Sequence, residues 1–245
     1  MALKGIITGC GKGIGLACAK DILENIDGSF VLGLSRSKTR DLEILIQKYP
    51  SRFIFKEADL SQDSELSKSL DCSEIKSGID FVIGNAGMRS RKSIELCSLQ
   101  TYRDVIEMNT ISQINLFKQT LMLKKTDSSL RYLFVSSIVG QRGFSELSSY
   151  AASKSALEGF VKSAAVEYGS KNILINCIAP GFVESSYADN FKTTKSDLYE
   201  WTLNQKPMKR WGKCEEVAAL MTFLVSKQNT YMTGSVIPCD GGWMA

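Results

Sequence analysis

Strand-length apolar runs alternating with helix-length amphipathic ones constrain this chain more than any other feature. Apolar runs at residues 3–8, 30–34, 53–57, 81–84, 131–136, 173–178 and 235–238 predict strands. Between them, apolar residues recur at steps of three or four near 13–24, 38–49, 62–70, 101–124, 149–168 and 214–226, which predicts helices. Runs such as Phe81-Val82-Ile83 show no polar alternation, so both strand faces must be covered, as in a parallel sheet flanked by helices. Strands in regular alternation with helices give a doubly wound α/β sheet. The 245 residues hold no repeat, linker or low-complexity tract, and they suit a single domain. The stretch of about 184–213 is polar and poorly periodic, and it is expected to form a lid over a substrate site.

Composition narrows the function. A net charge of +4 without a block of like charges supports neither a nucleic acid nor a membrane surface as partner. The longest apolar stretch, Tyr132 to Val139, is interrupted by Ser136 and Ser137 and is far too short to span a bilayer. The chain opens in a strand-like run, Leu3 to Ile7, rather than in a secretory leader, so a cytoplasmic location is expected. Seven scattered cysteines without a CxxC pair are expected to be reduced structural thiols. Histidine is absent, which removes Ser-His-Asp and Cys-His catalysis and most histidine-ligated metal chemistry; no metal site is expected. Proton transfer then falls to Tyr, Lys, Asp, Glu or Cys.

Directly after the first predicted strand stands Thr8-Gly9-Cys10-Gly11-Lys12-Gly13-Ile14-Gly15, followed by a helix. Glycines let the backbone turn tightly and approach a pyrophosphate, and the helix N-terminus offers free N–H groups and the positive end of its dipole. A strand before and a helix after are the context that a dinucleotide site requires.

The TGxxxGxG spacing resembles the short-chain dehydrogenase/reductase family, and the resemblance runs over essentially the whole chain. Asp59-Leu60 stands where the family contacts adenine, and Asn85-Ala86-Gly87 matches its NAG motif. Asn109, 24 residues after Asn85, matches its structural and catalytic Asn; Ser137 opens Ser-x-x-Gly, and Tyr150 to Lys154 is its YxxxK. Asn176, Pro180-Gly181, Val183 and Ser185 follow as in the family, with Ser185 where many members carry Thr, and Asp240 to Ala245 match its closing segment.

The resemblance implies about seven parallel strands in the order 3-2-1-4-5-6-7, helices on both faces, and an NAD(P)-dependent oxidoreductase acting on a CH–OH or C=O group. Its layout is most similar to 3-oxoacyl-carrier-protein reductases. Gly9, Lys12, Gly13, Ile14, Gly15, Ser35, Arg36, Asp59, Leu60, Asn85, Ala86, Gly87, Tyr150, Lys154, Pro180, Gly181, Val183 and Ser185 are the implied cofactor contacts. A homodimer or homotetramer, paired through the helices near 101–124 and 149–168, is implied as well.

An acid at the end of the second strand binds the adenosine ribose hydroxyls and repels a 2′-phosphate. Here that strand ends in Ser35-Arg36, no carboxylate follows until Asp41, and Lys12 lies in the glycine turn. Two cations and no carboxylate favour NADPH/NADP+ over NAD(H) through charge-assisted hydrogen bonds.

Of eight tyrosines only Tyr150 has a lysine four residues on, which places Lys154 on the same helix face. Reduction of a ketone needs a proton for the developing alkoxide. A free phenol, with its pKa of about 10, is a poor acid-base near neutrality, and bringing one to about 7 takes roughly 4 kcal/mol. One ammonium at ~4 Å supplies about that much at an effective dielectric near 20. Ser137, rather than its neighbour Ser136, is expected to hold the substrate oxygen. Asn109, disfavoured inside a helix, is implied by resemblance to hold a water near Lys154.

The substrate is expected to be a small-molecule or thioester-linked carbonyl. Arg89, Arg91 and Lys92 either attract an anionic substrate or form a solvated basic loop. The competing readings are a sugar, polyol or steroid alcohol dehydrogenase and a non-catalytic NADP-sensing protein. A sugar-nucleotide epimerase shares YxxxK but is expected to need a further substrate domain.

Overall fold

The protein is described as a computed structural model that covers residues 2–126, 128–185 and 191–245. Among these residues, seven strands form one sheet: β1 Lys4–Thr8, β2 Phe30–Ser35, β3 Phe53–Glu57, β4 Phe81–Gly84, β5 Leu130–Val135, β6 Ile173–Pro180 and β7 Val236–Cys239. All pairings are parallel, in the order β3-β2-β1-β4-β5-β6-β7. The expected doubly wound sheet is therefore the observed one. Strand order reverses between β1 and β4, and at such a switch point the two outgoing loops part and leave a crevice at the carboxyl edge.

Burial explains why these runs became strands. Every residue of β4 and β5 is buried, and alternate side chains feed two separate cores. Ile7, Val31, Phe81, Ile83 and Leu133 pack under α1 (Gly13–Asn25), α2 (Arg40–Lys48) and the C-terminal helix. Ile6, Leu32, Val82, Tyr132 and Phe134 pack against Leu116, Phe117, Leu157 and Val161 on the other face. All seven cysteines are free, and burial pushes the Cys10 and Cys177 thiols up to about 12, as fits inert packing groups.

The remaining helices are α3 (Asp63–Leu70), α4 (Ser73–Lys76), α5 (Leu99–Ile106), α6 (Ser112–Thr120), α7 (Ser148–Tyr168), α8 (Ser196–Asn204) and α9 (Cys214–Val225). Three differ from the sequence expectation, the first being the short α4, which stands where no helix is expected. The helix expected over 101–124 is interrupted by a π-helical turn, Glu107–Ile111, between α5 and α6, and ends in a 3-10 turn, Leu121–Leu123. The polar stretch 184–213 contains a regular helix, α8, whose Thr202 is buried. Residues 186–190 of that stretch lie outside the described residues. No helix among the described residues is long and apolar enough to cross a membrane.

Candidate active site

The glycine turn bridges β1 and α1. Gly9 and Gly13 adopt φ of +66° and +57°, a left-handed conformation that side chains disfavour. The turn is held from across the switch point. Thr8 Oγ1 accepts hydrogen bonds from the backbone N–H groups of Asn85 and Ala86 at 3.0 and 3.1 Å and donates to Ile83 O at 3.3 Å. Asn85 Nδ2 donates to the carbonyls of Thr8 and Gly9 at 3.1 and 3.0 Å. Thus the NAG asparagine fastens the ends of β1 and β4 together and holds the turn.

A cleft of about 440 Å³ opens over this turn, a volume within the range of cofactor sites. Gly9, Lys12, Gly13, Ile14, Ser35, Arg36, Leu60, Asn85, Ala86, Gly87, Val183 and Ser185 all line it. Lys12 and Arg36 are exposed at its rim, and no carboxylate is among the described residues lining it. The bare backbone of the turn and this cationic corner fit a dinucleotide carrying an extra phosphate.

Several other residues expected at the cofactor do not line this cleft. Gly15 faces inward, beside Gly9 O and the Asn85 amide. Asp59 turns its carboxylate onto its own loop, accepting from the N–H and hydroxyl of Ser61 at 3.0 and 2.8 Å. Tyr150, Pro180 and Gly181 line a neighbouring cavity instead, and Lys154 is buried beneath. Conversely, Gly11, Leu34, Ser37, Thr39, Ala58 and Met108 line the cleft without having been expected there. Thr39 had a readable signal, because it caps α2 by accepting from Leu42 N–H, and its hydroxyl donates to Gly11 O at 2.6 Å.

The neighbouring cavity, of about 220 Å³, is lined by Ser137, Tyr150, Leu147, Val139, Phe182 and Trp211, among others. Ile14, Val183 and Ser185 line both spaces, so the two adjoin at a common wall. Ser137 leaves β5 and opens a 3-10 turn, its Oγ accepting from Val139 N–H at 3.3 Å. Its neighbour Ser136 is buried and donates to Glu158 Oε1 at 2.7 Å. Of the two hydroxyls, Ser137's is the one left available to a substrate oxygen.

Tyr150 and Lys154 stand one turn apart on α7, with Lys154 Nζ 5.6 Å from the Tyr150 ring centre. Lys154 is 4% exposed, and its ammonium donates to Val135 O at 2.7 Å. A methyl group on Gly87 would stand 3.0 Å from Asn109 Oδ1 and 3.6 Å from Lys154 Nζ, so the bare glycine leaves these side chains their space.

Asn109 occupies the π-helical turn, fully buried. Its Oδ1 accepts from Met88 N–H at 2.8 Å, and its Nδ2 donates to Met88 O at 2.8 Å and to Ser153 Oγ at 2.9 Å. Ser153 Oγ in turn donates to Tyr150 O at 2.8 Å. The asparagine therefore links the NAG loop to the helix that carries Tyr150 and Lys154. π-Turns of this kind recur at functional sites, where one extra residue re-aims a side chain.

Of the basic loop, Arg89 lines the second cavity, whereas Arg91 pairs with Glu146 at 3.3 Å and Lys92 N–H bonds Glu146 O at 2.9 Å. Arg91 and Lys92 thus tie their loop to the segment ahead of α7.

Comparison with known proteins agrees with this geometry. A family model described as enoyl-(acyl carrier protein) reductase, one of the short-chain dehydrogenase/reductase group, matches residues 9–244. The chain is a short-chain dehydrogenase/reductase. It is 34% identical over 248 residues to a 3-oxoacyl-(acyl-carrier-protein) reductase of Chlamydia muridarum, covering 97% of this chain and 95% of the relative. It is 32% identical to the protein of the same name from Buchnera aphidicola subsp. Acyrthosiphon pisum, over 96% of this chain and 95% of that one. The crystal structure of levodione reductase superposes with a TM-score of 0.88 at 27% identity, covering 98% of this chain and 96% of that one. As a member of this family, the chain is an NAD(P)-dependent oxidoreductase acting on the CH–OH/C=O pair.

Proposed function

We propose that this dehydrogenase/reductase uses NADPH to reduce a ketone to an alcohol, with Tyr150 as the proton donor. The observation that carries the reading is the convergence of Ser137 and Tyr150 on one cavity that shares Ile14, Val183 and Ser185 with the dinucleotide cleft. When bound, NADPH supplies a hydride to the carbonyl carbon. The chain's residues do the rest. Ser137 hydrogen-bonds the substrate oxygen and steers it towards the phenol. Tyr150 Oη gives its proton to that oxygen as the C=O π bond breaks, leaving an alcohol and a phenolate. The Lys154 ammonium stabilises the phenolate through space, and Asn109, through Ser153, holds the register of α7.

Lys12, Ser35, Arg36, Ser37 and Thr39 would hold the 2′-phosphate end of the cofactor, and the glycine turn its pyrophosphate. The named activity of the Chlamydia and Buchnera relatives supports a 3-oxoacyl thioester as substrate. The apolar lining from Ile138, Val139, Leu147 and Phe182 suits the acyl part. The stretch 184–213 serves as the substrate lid within a single domain, and the exposed Leu99 and Val166 on α5 and α7 suit subunit pairing in a cytoplasmic homo-oligomer. The test is turnover of NADPH with a panel of ketones, aldehydes and 3-oxoacyl thioesters. Reduction of a 3-oxoacyl thioester is the expected result, and silence across the panel would overturn the reading in favour of an NADP sensor.

A further inference from the structure

Lys206 is the most anomalous charge in the molecule. It follows α8, is 1% exposed, and its Nζ has no hydrogen-bond partner among the described residues. A buried ammonium without an oxygen acceptor is costly unless something else replaces its lost hydration. Here three aromatic faces surround it: Phe182 at 5.5 Å, Trp211 at 5.6 Å and Trp243 at 5.6 Å from Nζ to ring centre. All lie within cation–π range. The rings also touch one another, Phe182 against Trp211 at 5.0 Å and against Trp243 at 5.2 Å. They come from three separate segments: the turn after β6, the stretch between α8 and α9, and the C-terminus. Two of them, Phe182 and Trp211, line the cavity that holds Tyr150 and Ser137.

We propose that Lys206 is a positioning residue for the substrate, its caged ammonium clasping the Phe182–Trp211 wall of the cavity to Trp243 of the C-terminal segment. The inference rests on the reading of that cavity as the substrate site. The clasp depends on charge, because ring faces attract an ammonium and not a neutral amine. Burial, and then the nearby charge of Arg210, pushes the lysine down to about 8, with Asp240 opposing. Arg210 comes from the segment between α8 and α9 and is forked onto Glu216 at 2.7 and 2.6 Å. Asp240 comes from the turn after β7 and accepts from Gly242 and Met244 N–H at 2.9 Å. Lys209, from the same segment as Arg210, donates to Asn204 O at 2.9 Å, and the turn after β6 presents the Phe182 ring. As pH rises through this value the ammonium is lost, and with it the attraction of the three rings, while the cost of burying the charge is relieved.

The chain has three tryptophans, Trp201, Trp211 and Trp243, and all belong to this cluster, with Trp201 edge-on to Trp243 at 5.6 Å. Tryptophan emission of the protein therefore reports on two of the cage rings and on the half-exposed Trp201 packed beside them, and a Trp201→Phe background confines the signal to the cage. In the wild type it is expected to titrate with a midpoint near pH 8, and Lys206→Met should abolish the transition while leaving the others of the fold intact. With acetoacetyl-CoA as the probe, Lys206→Met should raise KM roughly tenfold, with kcat and NADPH affinity within about twofold of wild type. Lys206→Arg, which keeps a cation at every pH, should return KM towards the wild-type value. Wild-type emission that stays flat from about pH 7 to 9, or a Lys206→Met loss confined to kcat, overturns the proposal. If Lys206→Met does not fold, the wild-type emission titration and a wild-type KM that rises with pH through the same midpoint decide it. Failure of the wild type to turn over any carbonyl defeats the functional reading instead, and the emission titration still decides the clasp.

Discussion

Replacing Lys154 by methionine isolates the electrostatic part of the proposed mechanism. Methionine keeps nearly the length and bulk of the lysine stem, so α7 should pack as before, while the ammonium is gone. Nζ lies 5.6 Å from the Tyr150 ring centre. With an effective dielectric near 20, an ammonium and a phenolate oxygen about 5 Å apart attract by about 3 kcal/mol. If that attraction is realised only as the proton leaves Tyr150, its loss slows turnover by about 150-fold. The assay is kcat at saturating NADPH and carbonyl substrate, accompanied by the NADPH dissociation constant and a thermal melt. Turnover should collapse while NADPH still binds and the protein still melts cooperatively. A variant that binds NADPH normally and keeps turnover within about threefold of wild type would refute the reasoning, because so small a change is less than 1 kcal/mol.

Tyr150→Phe removes the transferable proton and leaves the ring; it should bind NADPH with unchanged affinity in a fluorescence titration and lose all but background turnover. Arg36→Asp places a carboxylate at the cationic corner of the cleft and should shift the NADPH-to-NADH ratio of kcat/KM towards NADH by at least tenfold, about 1.4 kcal/mol. Thr8→Val leaves the N–H groups of Asn85 and Ala86 without their acceptor, which should lower stability by about 1–3 kcal/mol in denaturant unfolding and weaken NADPH binding in parallel. Asn109→Ala unlinks Met88 from Ser153, and it should lower kcat more than it raises the KM for NADPH.

The sheet was legible because β4 and β5 are buried on both faces, and only unbroken apolar runs satisfy such a place. The glycine turn and the Tyr150–Lys154 pair were legible for a related reason, since each needs particular residue types at fixed short spacings. The π-turn at Asn109 was not. An extra residue inside a helix shifts the apolar stripe by only part of a turn, and a window of three or four residues still reads as helical. The local use of the Asp59 carboxylate was not legible either, because an acid after a strand reads equally well as a ligand contact and as a loop cap. Thr8 and Asn85 bond across the switch point, 77 residues apart in the chain, and a local motif does not display such a partnership. Lys206 was invisible for the opposite reason: lysine in a polar stretch reads as solvated, and two of the three rings that enclose it, Phe182 and Trp243, come from distant segments.

Lys154 takes its bearing from the main chain of β5, through the carbonyl of Val135. A main-chain oxygen survives every substitution at its own position, so this anchor persists whatever residue replaces Val135. Mutational drift in the residues that line the second cavity can therefore proceed without disturbing the placement of the Lys154 ammonium. On the proposed reading, new specificity is best sought at Leu147, Phe182 and Trp211, which line that cavity, with the end of β5 left untouched.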